Sequence, residues 1–479
     1  IPMAVSKIVS ECLALKEYRN AHRVFHGALL YAVIVGGVAA LVAFFGGKFL
    51  LPYNQQNDNL ALRVLAPTIF FSAVLGVLRG YFQAHSTMIP TSISQIIEQV
   101  FNAAFSIGAA WFFIQQFATN DTEHAKFGAA GGTLGTGAGV LAGLCFMLIV
   151  YGVNRKTILR KVAKDTRHRE ESYREIFQVL FLMVTPVIFT TFIYNCNAYL
   201  DNYLFFTILG WHGENQKALN AAYGEFSNYY VTLINVPLAM ASALGVSAIP
   251  SLAGAIAVGD RKQIYGKIHH SIRFTMLIAI PSFVGFLMLS SPLMNLLYGD
   301  QRKTPAAMLS LGSITVVLYC LSTVQNSILQ GLDKMTVPIR NALISLGIHL
   351  VAVFVMLVML KWNIYSIVVG NIVFSLCMCI LNAHSIQTAV GYHQEVKRTF
   401  LLPTMAAFLM GVVSYLVFKL FDVLIGGRVF PILFALVAAV GIYAVALILI
   451  GGLTEEELYA MPKGDMLVKI FRKLHLMKG

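Results

Sequence analysis

Val74-Leu-Gly-Val-Leu-Arg79-Gly-Tyr-Phe-Gln83-Ala-His-Ser-Thr-Met88-Ile-Pro90 returns later in the chain as Val324-Gln-Asn-Ser-Ile-Leu-Gln330-Gly-Leu-Asp-Lys-Met335-Thr-Val-Pro338. The echo extends upstream: Ala4-Val-Ser-Lys-Ile-Val-Ser10, a polar turn and an apolar glycine-containing run match Ser247-Ala-Ile-Pro-Ser-Leu-Ala253, Gly259-Asp-Arg and a further apolar run. Two copies of one unit therefore make up the chain. Internal duplication on this scale marks transporters that expose one site alternately to the two sides of a membrane.

The surrounding composition says which medium the copies occupy. The 479 residues are 57% hydrophobic and 12% charged, with mean hydropathy +0.72, which excludes an ordinary soluble domain. Crossing a hydrocarbon core about 30 Å thick takes about 20 apolar residues in a helix. Runs of that kind fall near 25–52, 60–82, 89–117, 127–151, 176–210, 223–258, 269–298, 305–331, 336–361, 364–390, 398–421 and 429–452. Residues 1–15 read as the tail of one more. The expected fold is an all-α polytopic membrane protein of two pseudo-symmetric helical lobes, with about thirteen segments visible. Because Ile1 opens inside an apolar segment and the second copy extends further upstream, a fourteenth helix is expected before it.

Boundaries follow from the repeat and the charges. Residues 1–153 form an N-terminal lobe, 154–175 a basic cytoplasmic linker, 176–391 a C-terminal lobe and 392–452 two extra helices. Residues 453–479 form a tail in which Leu467, Ile470, Phe471, Leu474 and Met477 recur at helical spacing among Lys469, Arg472, Lys473 and Lys478. That pattern suits a helix lying in the interface. Most of the 35 lysines and arginines behind the formal charge of +13 crowd alternate connections. This is the positive-inside pattern of a multi-pass protein with a cytoplasmic C-terminus, and it points to membrane lipids rather than nucleic acid.

Catalytic and metal motifs are lacking. The six cysteines form no Cys-x-x-Cys pair, and the glycine-rich run Gly128 to Gly139 lacks the Gly-Lys-Ser/Thr ending of a phosphate loop. Its Gly131, Gly135, Gly139 and Gly143 instead make a ladder of the kind that lets membrane helices approach closely. A membrane glycosyltransferase or acyltransferase would need an exposed catalytic acid or histidine and longer outer segments, so no enzyme is expected. A noncatalytic scaffold in wall or spore assembly remains a further alternative.

Polar side chains inside spans cost about 2.5–3.5 kcal/mol each on insertion scales. Here they fall in stripes at helical spacing: Thr91, Gln95, Glu98 and Asn102; Thr190, Tyr194, Asn197 and Asp201; Glu225, Asn228, Thr232 and Asn235. Lys7 and Glu11 form an i,i+4 pair. A single amide is ordinary glue between helices, but whole stripes are housed at less cost against a hydrated central cavity. The positions matching the first stripe are Ile339, Leu343, Leu346 and Leu350, so the two copies have diverged. Arg79 and Arg340 either snorkel to the interface or, for Arg79 with Lys7, hold an anionic group. Pro186, Pro237, Pro250 and Pro281 are candidate bending points.

The runs Ile1-Pro-Met-Ala-Val-Ser-Lys-Ile-Val-Ser-Glu11, Leu78-Arg-Gly-Tyr-Phe-Gln83, Pro90-Thr-Ser-Ile-Ser-Gln-Ile-Ile-Glu-Gln99 and Asn235-Val-Pro-Leu-Ala239 carry a resemblance. The chain resembles the polysaccharide-biosynthesis and lipid II flippases, MurJ-type and stage V sporulation protein B-like, of the multidrug/oligosaccharidyl-lipid/polysaccharide (MATE-like) superfamily. The resemblance implies fourteen helices in two lobes and a central cavity. It also implies transbilayer movement of an undecaprenyl-diphosphate-linked sugar, most narrowly the peptidoglycan precursor lipid II. The alternatives are a multidrug extruder of the same superfamily and a flippase for another polysaccharide precursor. Relatives place basic residues near the diphosphate, which here implies Lys7. Some bind sodium through an acid on the seventh helix, which implies Asp201, with Asn341 and Asn371 as candidates to assist from later helices. Coupling to Na⁺, H⁺ or the membrane potential is expected through Asp201, Glu98 or Glu225.

Overall fold

A computed structural model of the chain describes residues 2–46, 60–85, 87–165, 172–299 and 302–453. Among these residues there are sixteen α-helices and no strand. This is the all-α polytopic fold expected from composition: inside hydrocarbon every backbone N–H and C=O must be satisfied within its own segment. The helices are α1 (Pro2–Ala14), α2 (Tyr18–Phe45), α3 (Leu60–Ala84), α4 (Ile89–Phe117), α5 (Asp121–Lys164) and α6 (Tyr173–Trp211). There follow α7 (Gln216–Glu225), α8 (Val231–Val258), α9 (Arg261–Met288), α10 (Ser290–Tyr298), α11 (Lys303–Gly312) and α12 (Ile314–Gly331). The chain continues through α13 (Thr336–Val355), α14 (Ile364–Val390), α15 (Leu402–Leu424) and α16 (Phe430–Leu449).

Among the described residues, ten helical stretches are long and apolar enough to cross a membrane, and α11 with α12, bent by 41° at Ser313, makes an eleventh. With α1 and the 39-residue α6 they account for the apolar segments read from the sequence. Among the described residues, π-turns with i→i+5 bonding interrupt three stretches, at Phe226–Tyr230, Met356–Leu360 and Lys397–Leu401. The basic stretch from residue 154 is helical as far as Lys164, a continuation of α5. The C-terminal amphipathic pattern lies outside the described residues.

The duplicated sequence takes the same local form twice. In each copy a helix ends, a short connection follows, and a second helix starts with proline in its first turns: α3 to α4 with Pro90, and α12 to α13 with Pro338. Proline suits those positions because the first helical N–H groups have no intrahelical acceptor to lose.

Two compact units emerge. One comprises residues 1–188 with Ile249–Asp260, the other Phe189–Ala248 with the chain from Arg261 on. The first unit is built around Phe25, Leu75, Leu78, Met147, Ile176 and Leu180, all fully buried. Its α4 and α5 form a hairpin whose contact is the glycine ladder. A methyl at Gly131 would meet the backbone of Ala110, at Gly135 that of Ser106, and at Gly139 the carbonyl of Glu98. Only glycine lets the two backbones come that close. The opposite side of α4 carries exposed Ile93, Ile96, Val100, Ile107 and Trp111, a surface suited to acyl chains. In the second unit, α13 and α14 pack as neighbours around Ala342, Phe374 and Met378, and α15 and α16 form a further pair.

Candidate functional site

The first stripe folds into contacts within the first unit. Glu98 Oε2 lies 2.6 Å from Arg79 Nη2, and Arg79 Nε donates to Ser94 Oγ at 2.8 Å. Ser94 in turn donates to the Thr91 carbonyl at 2.8 Å. Asn102 Oδ1 accepts from Ser106 at 2.9 Å and from Thr136 at 3.4 Å, tying α4 to α5. Thr91 is buried, its hydroxyl without a partner within the protein, whereas Gln95 is exposed. Lys7 is fully buried on α1, with Glu11 at 3.9 Å. The structure thus joins Arg79 to Glu98, a pair that spacing along one helix could not show.

The stripe on α6 leads into the second unit. The side chains of Thr190 and Tyr194 lie outside the described residues, but Asn197 and Asp201 are buried. Asp201 Oδ1 is 2.6 Å from Nε2 of His349, on α13. Asn371 lies on α14 and lines the same cavity as Asp201. Asn371 Oδ1 accepts from Asn197 Nδ2 at 3.1 Å and from the Tyr319 hydroxyl at 2.9 Å. A second amide chain lies further along the same helices: Asn341 Nδ2 donates to Asn382 Oδ1 and Asn382 Nδ2 to Asn326 Oδ1, each at 2.9 Å.

The third stripe is divided by the π-turn at Phe226–Tyr230. A π-turn adds a residue to the helical repeat and shifts the register of everything after it. Glu225, before the turn, pairs with Arg302 at 2.6 Å. Asn228, within it, donates to the Gly224 carbonyl at 3.0 Å. Thr232 is exposed, and Asn235 lines a cavity of about 320 Å³ together with Asn197, Asp201, Tyr319 and Asn371. Tyr230, at the end of the turn, donates to Thr315 Oγ1 at 3.2 Å.

His349 and Tyr319 did not figure among the sequence candidates. A signal for the first was present: Asn341, Ser345 and His349 recur at intervals of four on α13, all buried. They lie on a different face from Ile339, Leu343, Leu346 and Leu350. Among the described residues no group of three or more His, Cys, Asp or Glu is arranged around a common point. The site's chemistry is therefore that of amides and hydroxyls around one carboxylate–imidazole contact. Such an arrangement holds and orients a polar group.

Comparison with known proteins places the chain in a family. The chain is 24% identical over 436 residues to the lipid II flippase MurJ of Bacillus subtilis, covering 86% of this chain and 77% of that one. It is 22% identical over 403 residues to stage V sporulation protein B of the same organism, covering 83% and 75%. Among solved structures, a eukaryotic MATE transporter superposes with a TM-score of 0.62 at 15% identity, over 81% of this chain and 84% of that one. That likeness establishes a MATE-like fold. The family model described as lipid II flippase MurJ matches residues 18–435, and the chain belongs to that family.

Proposed function

We propose that the chain moves a lipid-linked oligosaccharide, carried on undecaprenyl diphosphate, across a bacterial cytoplasmic membrane, and that its substrate is the peptidoglycan precursor lipid II. The family match over residues 18–435 carries this reading. The physical problem it answers is specific. An isoprenoid tail can stay in hydrocarbon throughout, whereas the sugar headgroup needs a polar path through a region where each unsatisfied polar group costs several kcal/mol. Amide-rich surfaces such as that around Asn197, Asn235 and Asn371 supply hydrogen bonds of the kind the headgroup gives up on leaving water.

In this reading the chain exposes the headgroup path first to the cytoplasm and then outward, by alternating access. The distribution of lysine and arginine orients the chain with its C-terminal tail in the cytoplasm. Membrane lipids and the lipid-linked sugar are its partners, and the chemistry is translocation without covalent change.

The test is complementation with the full-length gene in a flippase-deficient strain, with lipid II exposure on the outer face read by an externally added probe. Restored exposure is the expected result. Growth without restored exposure, or no rescue by a protein shown to reach the membrane, would overturn the lipid II assignment.

A further inference from the structure

Helix α5 is longer than a bilayer requires. Its 44 residues, Asp121–Lys164, reach about 66 Å at about 1.5 Å per residue, against about 40–45 Å for hydrocarbon and headgroups together. A Cβ at Gly143 would lie 3.3 Å from the Ser94 carbonyl, which sets the two level across the α4–α5 hairpin. From that level α4 extends back only to Ile89 whereas α5 runs on to Lys164, so α5 projects about 24 Å past its partner. The projecting part carries Arg155, Lys156, Arg160, Lys161 and Lys164. Among the described residues none of the five joins a carboxylate. The two acids beside them are engaged elsewhere: Asp165 Oδ2 accepts from Arg19 N at 3.1 Å and Glu17 Oε2 from Asn20 Nδ2 at 3.0 Å.

A cavity of about 170 Å³ opens against this stretch, between α5, the α1–α2 turn and the end of α3. Phe82 and Ile158 give it an apolar lining, and Tyr18, His85, Thr157 and Lys161 supply its polar groups. Lys161 Nζ stands 5.9 Å from the centre of the Tyr18 ring. His85 lies in the connection that leads to Ile89, where α4 enters the membrane, so the cavity sits at headgroup depth. The Tyr81 carbonyl, 2.9 Å from His85 Nδ1, requires the ring proton there, and burial holds the imidazole below its ordinary value. The neutral ring therefore offers Nε2 as an acceptor, which calls for a hydroxyl. Cations, a hydroxyl acceptor and an apolar lining together match an anionic phosphodiester that carries a hydroxylated headgroup and an apolar tail. A free phosphate ion gains nothing from the apolar lining, and a zwitterionic headgroup brings an ammonium against unpaired cations.

We propose that this cavity binds the headgroup of an anionic, hydroxyl-bearing phospholipid of the inner leaflet, its phosphate toward Lys161 and Thr157 and its hydroxyl toward His85 Nε2. The site is built wholly from the first unit. It does not depend on which lipid-linked sugar is moved, and its binding is measured without transport.

The full chain in detergent micelles is titrated calorimetrically, at constant ionic strength, with short-chain phosphatidylglycerol, phosphatidylethanol and phosphatidylcholine. Phosphatidylethanol has the same charge as phosphatidylglycerol and lacks the headgroup hydroxyl. Phosphatidylglycerol should bind about fivefold tighter than phosphatidylethanol, the value of one hydrogen bond, and tighter still than phosphatidylcholine. His85→Phe should erase the preference between the two anionic lipids. Lys161→Gln should weaken both about fivefold, and Lys156→Gln, which removes a cation of the same helix outside the cavity, should weaken them less. Thr157→Leu fills the cavity from the exposed helix without changing charge and should weaken both anionic lipids, so it decides the matter if His85→Phe or Lys161→Gln does not fold. Equal binding of the two anionic lipids by the wild type overturns the assignment. So do equal losses in Lys161→Gln and Lys156→Gln, which mean diffuse attraction, undiminished binding in Thr157→Leu, or displacement of the lipid by an equal concentration of inorganic phosphate.

Discussion

Asp201 Oδ1 stands 2.6 Å from His349 Nε2, with the two side chains 2% and 0% exposed. The approach depends on Gly370, on the neighbouring α14. A Cβ there would overlap a Val353 methyl and lie 2.9 Å from His349 Cε1. The glycine gives the imidazole room, the imidazole meets the carboxylate, and Asn371, one residue beyond the glycine, accepts from Asn197 and Tyr319.

Removing the imidazole should therefore cost more than a contact. His349→Leu leaves the Asp201 carboxylate buried without its imidazole partner, and truncating one partner of a buried pair costs about 3–5 kcal/mol. Combining it with Asp201→Leu removes the stranded group and should recover part of that loss. Thermal unfolding of the two single variants and the double variant in detergent checks this; a double-variant loss equal to the sum of the two single losses would mean the side chains are not coupled.

The glycine ladder yields a paired prediction. Gly135→Ala drives a methyl into the Ser106 backbone, a clash between two helices that cannot be relieved by rotating a side chain. At Gly132, one helical face away, a Cβ meets nothing within 4 Å. Gly135→Ala should destabilise by about 1–3 kcal/mol through overpacking. Gly132→Ala should be neutral or stabilising by up to about 1 kcal/mol, the helix-propensity gain. Melting curves of the two variants, measured side by side, separate a packing role from a general dislike of side chains in this helix.

The fold was legible because hydrocarbon leaves few options: apolar runs of membrane-spanning length become helices, and the four-residue spacing of Gly131, Gly135, Gly139 and Gly143 implied a close helix contact. The sites were legible only along single helices. Glu98 was visible as one member of a stripe on α4, but its partner Arg79 sits 19 residues away on α3, brought in by the turn between the helices. His349 escaped because the positions that match the first stripe, Ile339, Leu343, Leu346 and Leu350, are apolar. Divergence had moved the polar positions to Asn341, Ser345 and His349. Glu225 and Asn235 share a face in an ideal helix, but the π-turn between them sends one to Arg302 and the other to the cavity wall.

His85, just past the end of α3, gives the first unit a pH dependence. It lines a small cavity with Tyr81, Phe82 and Lys161. Burial pushes its imidazole below the ordinary value of 6.5; the Tyr81 carbonyl, 2.9 Å from Nδ1, opposes this and the Lys161 ammonium reinforces it. The folded protein thus binds this proton less readily than the unfolded chain. The stabilising contribution is complete above about pH 6.5 and is lost as pH falls through the lowered folded value. The melting temperature should drop on acidification from about pH 7.5 to about pH 5, and less steeply in His85→Gln. An identical slope in the variant would rule His85 out as the source.

Arg79 and Glu98 allow a test that separates structure from transport. Their side chains are 13% and 20% exposed, and Arg79 also donates to Ser94. Either charge alone in an apolar span is costly, so Arg79→Met and Glu98→Leu should each lower the melting temperature. The double variant should regain part of the loss, with a coupling energy of about 1–3 kcal/mol. Because Glu98 already balances its charge, Arg79 is expected to tie α3 to α4 rather than to hold the substrate's anionic group. The stabilised double variant should then complement a flippase-deficient strain nearly as well as the wild type. Restored stability with lost complementation would instead place the guanidinium on the diphosphate, with Glu98 as the partner it leaves when substrate arrives. The comparison works because one measurement reads folding and the other reads translocation, and only a direct role in substrate binding lets the two diverge.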